Sequence, residues 1–366
     1  MNIELSFFSI LEVLTFSAAL MLGLLFFTMK SANKKANIFL GLFLWFISLN
    51  TFIDLIKYEM TEGNIIDYIL FVVSLFIAPL LYVYTYQTIN RSYRKMLLYV
   101  FSPMFLVYVS VMFIPESEGI LLFVDVIQYI FEIILYILIL KKIKELTSEL
   151  NNFYSELENK RLSWIKTIIY ISLAFILFET IEMILDLDEE IVEPYLDSIS
   201  ILLAFIMVYW IAYNGFSQSE IFQASLFIPD SGNMSAPVPV DSKIKNEINV
   251  EEQSIFNEIN AKITKKKLYA DSELNLRTLS ESLQVKEKEL SRIINVYAET
   301  NFYHFINAFR VQEFKRLIQT PRAQQLSILG LAQEAGFSSK STFYNTFKKL
   351  EGMTPKQYEL SLKKSE

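Results

Sequence analysis

Two hydrophobic patterns divide the chain. Residues 1–215 hold seven nearly unbroken apolar segments, at 5–29, 36–56, 65–89, 96–114, 119–140, 164–185 and 195–214. Each is about 20 residues long, the length that crosses a bilayer as a helix. Residues 216–250 lose all periodicity, with Pro229, Gly232, Pro237 and Pro239 set among Ser, Asn and Asp, as a linker does. A flexible chain of about 35 residues spans roughly 30–35 Å r.m.s.. From Glu251 apolar residues return at helical spacing: Ile255, Ile259 and Ile263 mark one helix, closed by Lys265, Lys266 and Lys267. The pattern predicts an all-α chain: a seven-helix transmembrane domain over 1–215, a flexible linker over 216–250, and an all-α domain over 251–362.

Residues 327–358 predict two short amphipathic helices around a sharp turn. Ile328, Leu331 and Ala332 share a face, and Ala335-Gly336-Phe337 ends the first helix. Gly336 can take a positive φ without a Cβ clash, which such a turn needs. The second helix runs from about Lys340 to Leu350, with Phe343 and Phe347 inward at i and i+4. Lys340, Ser341, Tyr344, Asn345 and Lys348 are left outward. A steeply held helix with a polar, partly basic outer face suits a DNA major groove; the spacing alone also fits an ordinary pair of packed helices.

A similar pair precedes it. Leu276, Leu279 and Leu283 lead through Gln284-Val285 into a helix carrying Leu290, Ile293 and Ile294, whose outward positions are Lys286, Lys288, Glu289, Ser291, Arg292 and Asn295. Between the pairs lies a longer helix with Phe305, Ile306, Phe309, Leu317 and Ile318 as its buried stripe.

The run Ala332-x3-Gly336-Phe337-Ser338-Ser339-x-Ser341-x-Phe343-x3-Phe347-Lys348-Lys349-x2-Gly352-x-Thr354-Pro355-x2-Tyr358 resembles the second helix-turn-helix of AraC/XylS-type transcription regulators. The earlier pair resembles the first motif of that family more loosely, and residues 301–318 its linker helix, so the resemblance covers about residues 251–362. The sequence departs from the family at Glu359, where arginine is usual, and at Asn345, where a basic residue is frequent. Ser280 stands for the usual alanine, and Gln284 for a turn-easing glycine or asparagine. The resemblance implies specific binding of double-stranded DNA, often as a homodimer, by two motifs that a rigid helix sets on successive major-groove turns about 34 Å apart.

The resemblance places Lys288 and Arg292 where base-reading side chains sit. Arginine can read guanine O6 and N7 bidentately, and Asn345 suits adenine N6 and N7. Lys340, Ser341 and Tyr344 occupy the matching face of the second motif. Ser338, Ser339, the amides beside them and Lys348 are phosphate partners by chemistry. Lys286 and Ser291 complete the expected DNA face. Each residue taken singly also fits a solvated helix face.

Charge separates the same two parts. The chain holds 33 Lys and Arg against 40 Asp and Glu, a net of −7. From Asp241 onward there are 20 basic against 16 acidic residues, a net of +4, which leaves −11 for residues 1–240. A net of +4 predicts weak non-specific DNA affinity. In the apolar part Lys30, Lys34 and Lys35, then Arg91, Arg94 and Lys95, then Lys141, Lys142, Lys144, Lys160, Arg161 and Lys166 fall in alternate loops. The intervening loops carry acids and, of bases, almost only Lys57. Basic loops stay cytoplasmic. The expected placement is multi-pass in a bacterial cytoplasmic membrane, with the N-terminus outside and the C-terminal domain in the cytoplasm. A soluble helical bundle would not produce this alternation.

Catalytic chemistry finds little footing. There is no cysteine and one histidine; His304, beside Tyr303 and Phe305, reads as a partly packed structural residue. GxGxxG and GxxxxGK[ST] are absent. No cofactor, metal site or catalytic residue is expected. The membrane part does carry acids within or at the ends of its spans: Glu12, Asp125, Glu132, Glu179 and Glu182, with Asp54, Asp67 and Asp197. Charges in lipid are costly and usually face a protein interior or a wet cavity. The five named first could line an outward-facing pocket for an extracytoplasmic or membrane ligand, or be carboxyls in structural hydrogen bonds. The function expected is a membrane-anchored, sequence-specific transcription regulator that couples a signal at the membrane domain to promoter binding. A transporter or membrane enzyme with an accessory helix-turn-helix domain, or a C-terminal domain that binds protein, are the other readings.

Overall fold

The computed structural model describes residues 7–30, 33–57, 72–90, 100–103, 105–106, 109, 118–157, 162–185, 189–217 and 250–365. They are helical, with no strand among the described residues. In the first part the helices are α1 (Phe7–Thr28), α2 (Lys34–Lys57), α3 (Ile77–Asn90), α4 (Glu118–Leu150), α5 (Ser163–Leu185) and α6 (Glu189–Ser217). In the second they are α7 (Val250–Lys266), α8 (Leu276–Leu283), α9 (Glu287–Tyr297), α10 (Phe302–Leu317), α11 (Ile328–Glu334), α12 (Lys340–Glu351) and α13 (Pro355–Ser365).

The chain forms two compact units. One comprises Met1–Lys144 and Leu162–Leu226, the other Glu145–Arg161 and Phe227–Glu366. The sequence pattern divides the chain once, in the 216–250 stretch, which falls outside the described residues except for Ser217 and neighbours at its edges. The structure adds a second crossing: the end of α4 and the residues after it belong with the C-terminal unit.

In the first unit, Phe7–Thr28, Lys34–Ile53, Val72–Ile89 and Phe123–Leu150 are long and apolar enough to cross a membrane. They overlap the expected spans 5–29, 36–56, 65–89 and 119–140, the last of them running on to Leu150. Ser163–Phe178 and Ser198–Asn214 are shorter apolar helices within the expected spans 164–185 and 195–214, and most of 96–114 lies outside the described residues. Met21, Phe123, Leu177 and Tyr209 stand 57–71% exposed on these helices. A helix apolar on all sides needs a protein core or lipid around it. Buried polar groups pair across helices: Ser48 Oγ donates to Phe16 O (3.1 Å) and Trp210 Nε1 to Trp164 O (3.1 Å).

The second unit has two apolar cores joined by α10. Ile259 and Ile263 of α7, Leu279 of α8, Ile293 of α9 and Ile306 of α10 lie in the first. Val311, Phe314 and Leu317 of α10 pack with Ala332, Phe337, Phe343 and Phe347 in the second. The expected inward residues of both motifs are therefore inward. So is a set of polar residues on α10: Asn307 and Arg310 are fully buried and Glu313 is 8% exposed. Glu313 Oε1 accepts from Lys267 Nζ (3.0 Å), and its Oε2 from Arg316 Nε (2.8 Å).

Both turns require positive φ. Gln284 ends α8 at φ 58° and ψ 37°, so a side-chain-bearing residue pays for a left-handed conformation here. Gly336 has φ 102°, and a Cβ there would lie 2.3 Å from Tyr269 O. Gly352 has φ 72° with open space around it.

Gly336→Ala is expected to destabilise the second unit by more than about 2 kcal/mol, through the backbone and the clash together. Gly352→Ala should cost less, since only the backbone term applies; thermal unfolding of the two variants checks the order. A second expectation concerns acid. Hydrogen bonds from Arg316 and then Lys267 hold the Glu313 carboxyl at about 2, below its usual 4.5. A depressed carboxyl stabilises the fold fully above pH 4.5, and that contribution is lost as pH falls toward 2. Denaturant titrations at pH 6, 4 and 3 should show a shallower decline for Glu313→Gln than for the wild type.

Candidate nucleic-acid interface

The two helix-turn-helix motifs are α8 with α9 and α11 with α12. Each second helix buries one stripe and exposes the other. On α12, Thr342, Phe343, Thr346 and Phe347 are buried, while Lys340, Ser341, Asn345 and Lys348 are exposed and Tyr344 is half-buried. Phe343 packs tilted and Phe347 edge-on against Phe314 of α10, at 4.7 and 5.4 Å, which fixes the helix rotation. Lys340 Nζ lies 5.8 Å above the Tyr344 ring, and Asn345 Nδ2 reaches Ser341 Oγ at 3.5 Å. The expected second-motif residues thus share one solvent face.

The start of α12 carries a side-chain cap and no opposing charge. Ser339 caps it, its Oγ accepting from Thr342 N (3.2 Å), and Ser338 is exposed beside it. First-turn amides have no intrahelical acceptor, and α12 carries no acid in its first turn. The α9 terminus differs. Lys286 caps it by backbone alone, and Glu287 and Glu289 stand in its first turn. These acids favour the helix dipole and oppose a phosphate at the same place. Of the two second helices, only α12 has a terminus with a side-chain cap and no first-turn acid.

On α9, Lys286, Lys288 and Arg292 are exposed and Ser291 and Asn295 half-buried. Arg292 is not idle. Its Nη2 and Nη1 donate to Glu252 Oε1 (2.6 Å) and Oε2 (3.1 Å), and Tyr297 Oη donates to Glu252 Oε2 (3.0 Å). Arg292, with Tyr297 assisting, holds the Glu252 carboxyl below the usual carboxylate range. The fork expected to read a guanine is occupied by a carboxylate from the first turn of α7. Sequence reading passes over Glu252 because no local spacing links it to a residue 40 positions away.

Among other departures from the resembled family, Glu359 is paired within α13 to Lys356 (2.7 Å) and Lys363 (3.0 Å). Neighbouring Tyr358 packs on Phe347 at 5.5 Å. The ion pairs settle Glu359 on a solvated face without disturbing the packing of Tyr358. His304 sits at the edge of the Tyr303 ring, 5.0 Å away, and its Nε2 is 3.2 Å from Lys349 Nζ.

In the membrane part, Asp125 and Glu132 lie on α4, both half-buried, and Glu12 is buried on α1. Glu132 Oε1 accepts from Gln128 Nε2 (2.9 Å), which also donates to Ser74 Oγ (3.1 Å). Glu132 is thus bonded within its own helix, and Gln128 links α4 to Ser74. Asp67 lies outside the described residues, as do the side chains of Asp54, Glu179, Glu182 and Asp197.

Residues 279–360 match a family described as a helix-turn-helix domain. An uncharacterized HTH-type transcriptional regulator of Staphylococcus aureus is 34% identical over 109 residues, 29% of this chain and 14% of the relative. The melibiose operon regulatory protein of Escherichia coli is 31% identical over 88 residues, 24% of this chain and 28% of the relative. The chain thus spans about a seventh of the length of the staphylococcal relative and about a quarter of the other. No solved structure matches it. The C-terminal part of the chain carries an AraC-type helix-turn-helix domain.

The Arg292–Glu252 pair yields an expectation. Glu252→Gln releases the guanidinium and removes a repulsive charge from the DNA face. Partly exposed pairs are worth about 1 kcal/mol or less, so the variant should bind duplex DNA up to about fivefold more tightly than the wild type. Fluorescence anisotropy on the full chain checks it. A loss of affinity would mean that Glu252 orients Arg292 for binding.

Proposed function

We propose that this protein is a membrane-anchored, sequence-specific DNA-binding transcription regulator. The observation that carries the reading is the pair of helix-turn-helix motifs on one rigid helix, with Lys340, Ser341, Tyr344, Asn345 and Lys348 on one outer face and Lys286, Lys288, Ser291 and Arg292 on the other. The transcriptional regulators that resemble this domain support the same reading.

Membrane anchoring rests on the long apolar helices and on the alternation of basic loops, which sets the C-terminal domain in the cytoplasm. A signal at the membrane helices alters the arrangement or availability of the two motifs. A ligand achieves this only through different affinities for two arrangements. The partners of the reading are lipid, a ligand reached from the membrane or its outer side, duplex DNA, and a second copy of the chain on a paired site. Lys288 and Arg292 read bases for the first motif, and Lys340, Ser341, Tyr344 and Asn345 for the second. Ser338, Ser339 and Lys348 hold phosphates.

The test uses the full chain in lipid nanodiscs and sheared genomic DNA. Enrichment of a sequence with two elements about one helical turn apart is expected. Affinity should fall steeply with salt as phosphate-bound counterions are released. Arg292→Ala should relax preference in one element and Lys340→Ala in the other, each good base contact being worth about 1–3 kcal/mol. No enrichment, or a flat salt dependence, overturns the reading.

A further inference from the structure

Residues 151–157 follow the long helix α4, within the loop between α4 and α5 that the charge pattern places in the cytoplasm. In the structure they are part of the DNA-binding unit. Three separate bodies of that unit meet them. The first is the entrance to α8: Ser155 N donates to Leu274 O (3.3 Å), Leu276 N donates to Phe153 O (2.8 Å), and Tyr154 forms an antiparallel bridge with Asn275. The second is α10: Tyr303 N donates to Asn151 O (2.9 Å), while Asn307 Nδ2 (3.0 Å) and Arg310 Nη1 (3.2 Å) both donate to Ser155 O. The third is α12, where Thr342 Oγ1 donates to Glu156 Oε1 (3.0 Å).

Arg310 shows how closely the segment is fitted. Its guanidinium is fully buried and has five N–H donors. Three go to Tyr269 O, Asp271 O and Asn307 Oδ1. The other two go to Ser155 O and Ser155 Oγ. The acceptor set is complete only with the segment in place.

We propose that Asn151–Leu157 is a strap that fixes the two helix-turn-helix motifs relative to each other and ties that arrangement to α4. The strap touches the first motif, the joining helix and the recognition helix of the second motif through backbone and buried side-chain bonds. A displacement of α4 along or about its axis acts on the strap before it acts on either motif. The proposal rests on the DNA-binding reading above for its consequence and on contacts within one unit for its structure.

The chain has no cysteine, so an introduced pair reports cleanly. Antiparallel partners lie about 4.5–5.5 Å apart at Cα, within disulfide reach. The full chain with Tyr154→Cys and Asn275→Cys, oxidised in membrane vesicles, should close a disulfide. A control with Tyr154→Cys and Lys356→Cys should not. In nanodiscs, Ser155→Pro removes the amide donated to Leu274 and the hydroxyl that serves Arg310. Its affinity for a duplex carrying both selected elements should fall at least tenfold, and for a duplex carrying one element less than twofold. If Ser155→Pro does not assemble, Ser155→Ala is compared in the same way, with a threefold loss expected on the two-element duplex alone. A general loss of folding would lower both duplexes alike, and that result overturns the proposal, as does failure of the cysteine pair to close. A wild type that binds neither duplex overturns the DNA-binding reading instead, and the cysteine pair still decides whether the strap is docked.

Discussion

The second unit depends on one demand: a fully buried guanidinium must find five acceptors. Arg310 sits in the stripe of α10 that otherwise carries Ile306, Phe314 and Leu317. Each of its donors left without a partner would cost about 1–3 kcal/mol. Burial pushes the guanidinium down to about 10, with Glu156 and Asp271 opposing that shift, so it stays charged at neutral pH. The acceptors come from three places in the chain: Tyr269 and Asp271 before the first motif, Asn307 on α10 itself, and Ser155 from the loop after α4. On its far side the guanidinium lies 5.9 Å from the Phe337 ring, in the turn of the second motif. One charge thus organises both motifs, and apolar contacts fill in around it.

Much of the unit was legible in the sequence. Leu276, Leu279 and Leu283, then Leu290, Ile293 and Ile294, then Phe343 and Phe347 recur at helical spacing, and all are buried. Gly336 announced its turn because few residues can stand at φ 102°. Gln284 gave no such signal, since its left-handed backbone is imposed by packing and not by its own preference. Asn307, Arg310 and Glu313 were passed over because polar residues on a helix read as a solvated face. Arg310 did leave one trace: it falls four residues from both Ile306 and Phe314, inside the apolar stripe. Ser155 and Glu156 left none. Their partners lie 119 to 186 positions away, and periodicity reports only on neighbours within a turn or two.

The two motifs are not equivalent. The second has a serine-capped helix terminus with no first-turn acid, and is also the stretch whose sequence signature is unbroken. The first has acids at its helix terminus and its foremost arginine held by Glu252. Its departures, Ser280 and Gln284, are absorbed locally: Ser280 Oγ bonds back to Arg277 O at 2.7 Å. The membrane helices show a different economy. Ser48, Gln128 and Trp210 bond to other segments, while the buried hydroxyls of Thr15, Thr51 and Thr85 bond back to their own helices.

The discontinuous build of the second unit has a consequence for biosynthesis. Ser155 and its partner Asn307 are 152 residues apart, and synthesis runs at about 5–20 residues per second. The strap is therefore made many seconds before the domain it completes, with α5 and α6 made in between. While it waits, it continues directly from the end of α4. The last-made third of the chain then folds onto a segment made long before it, so that completion of the C-terminal domain waits for the end of synthesis.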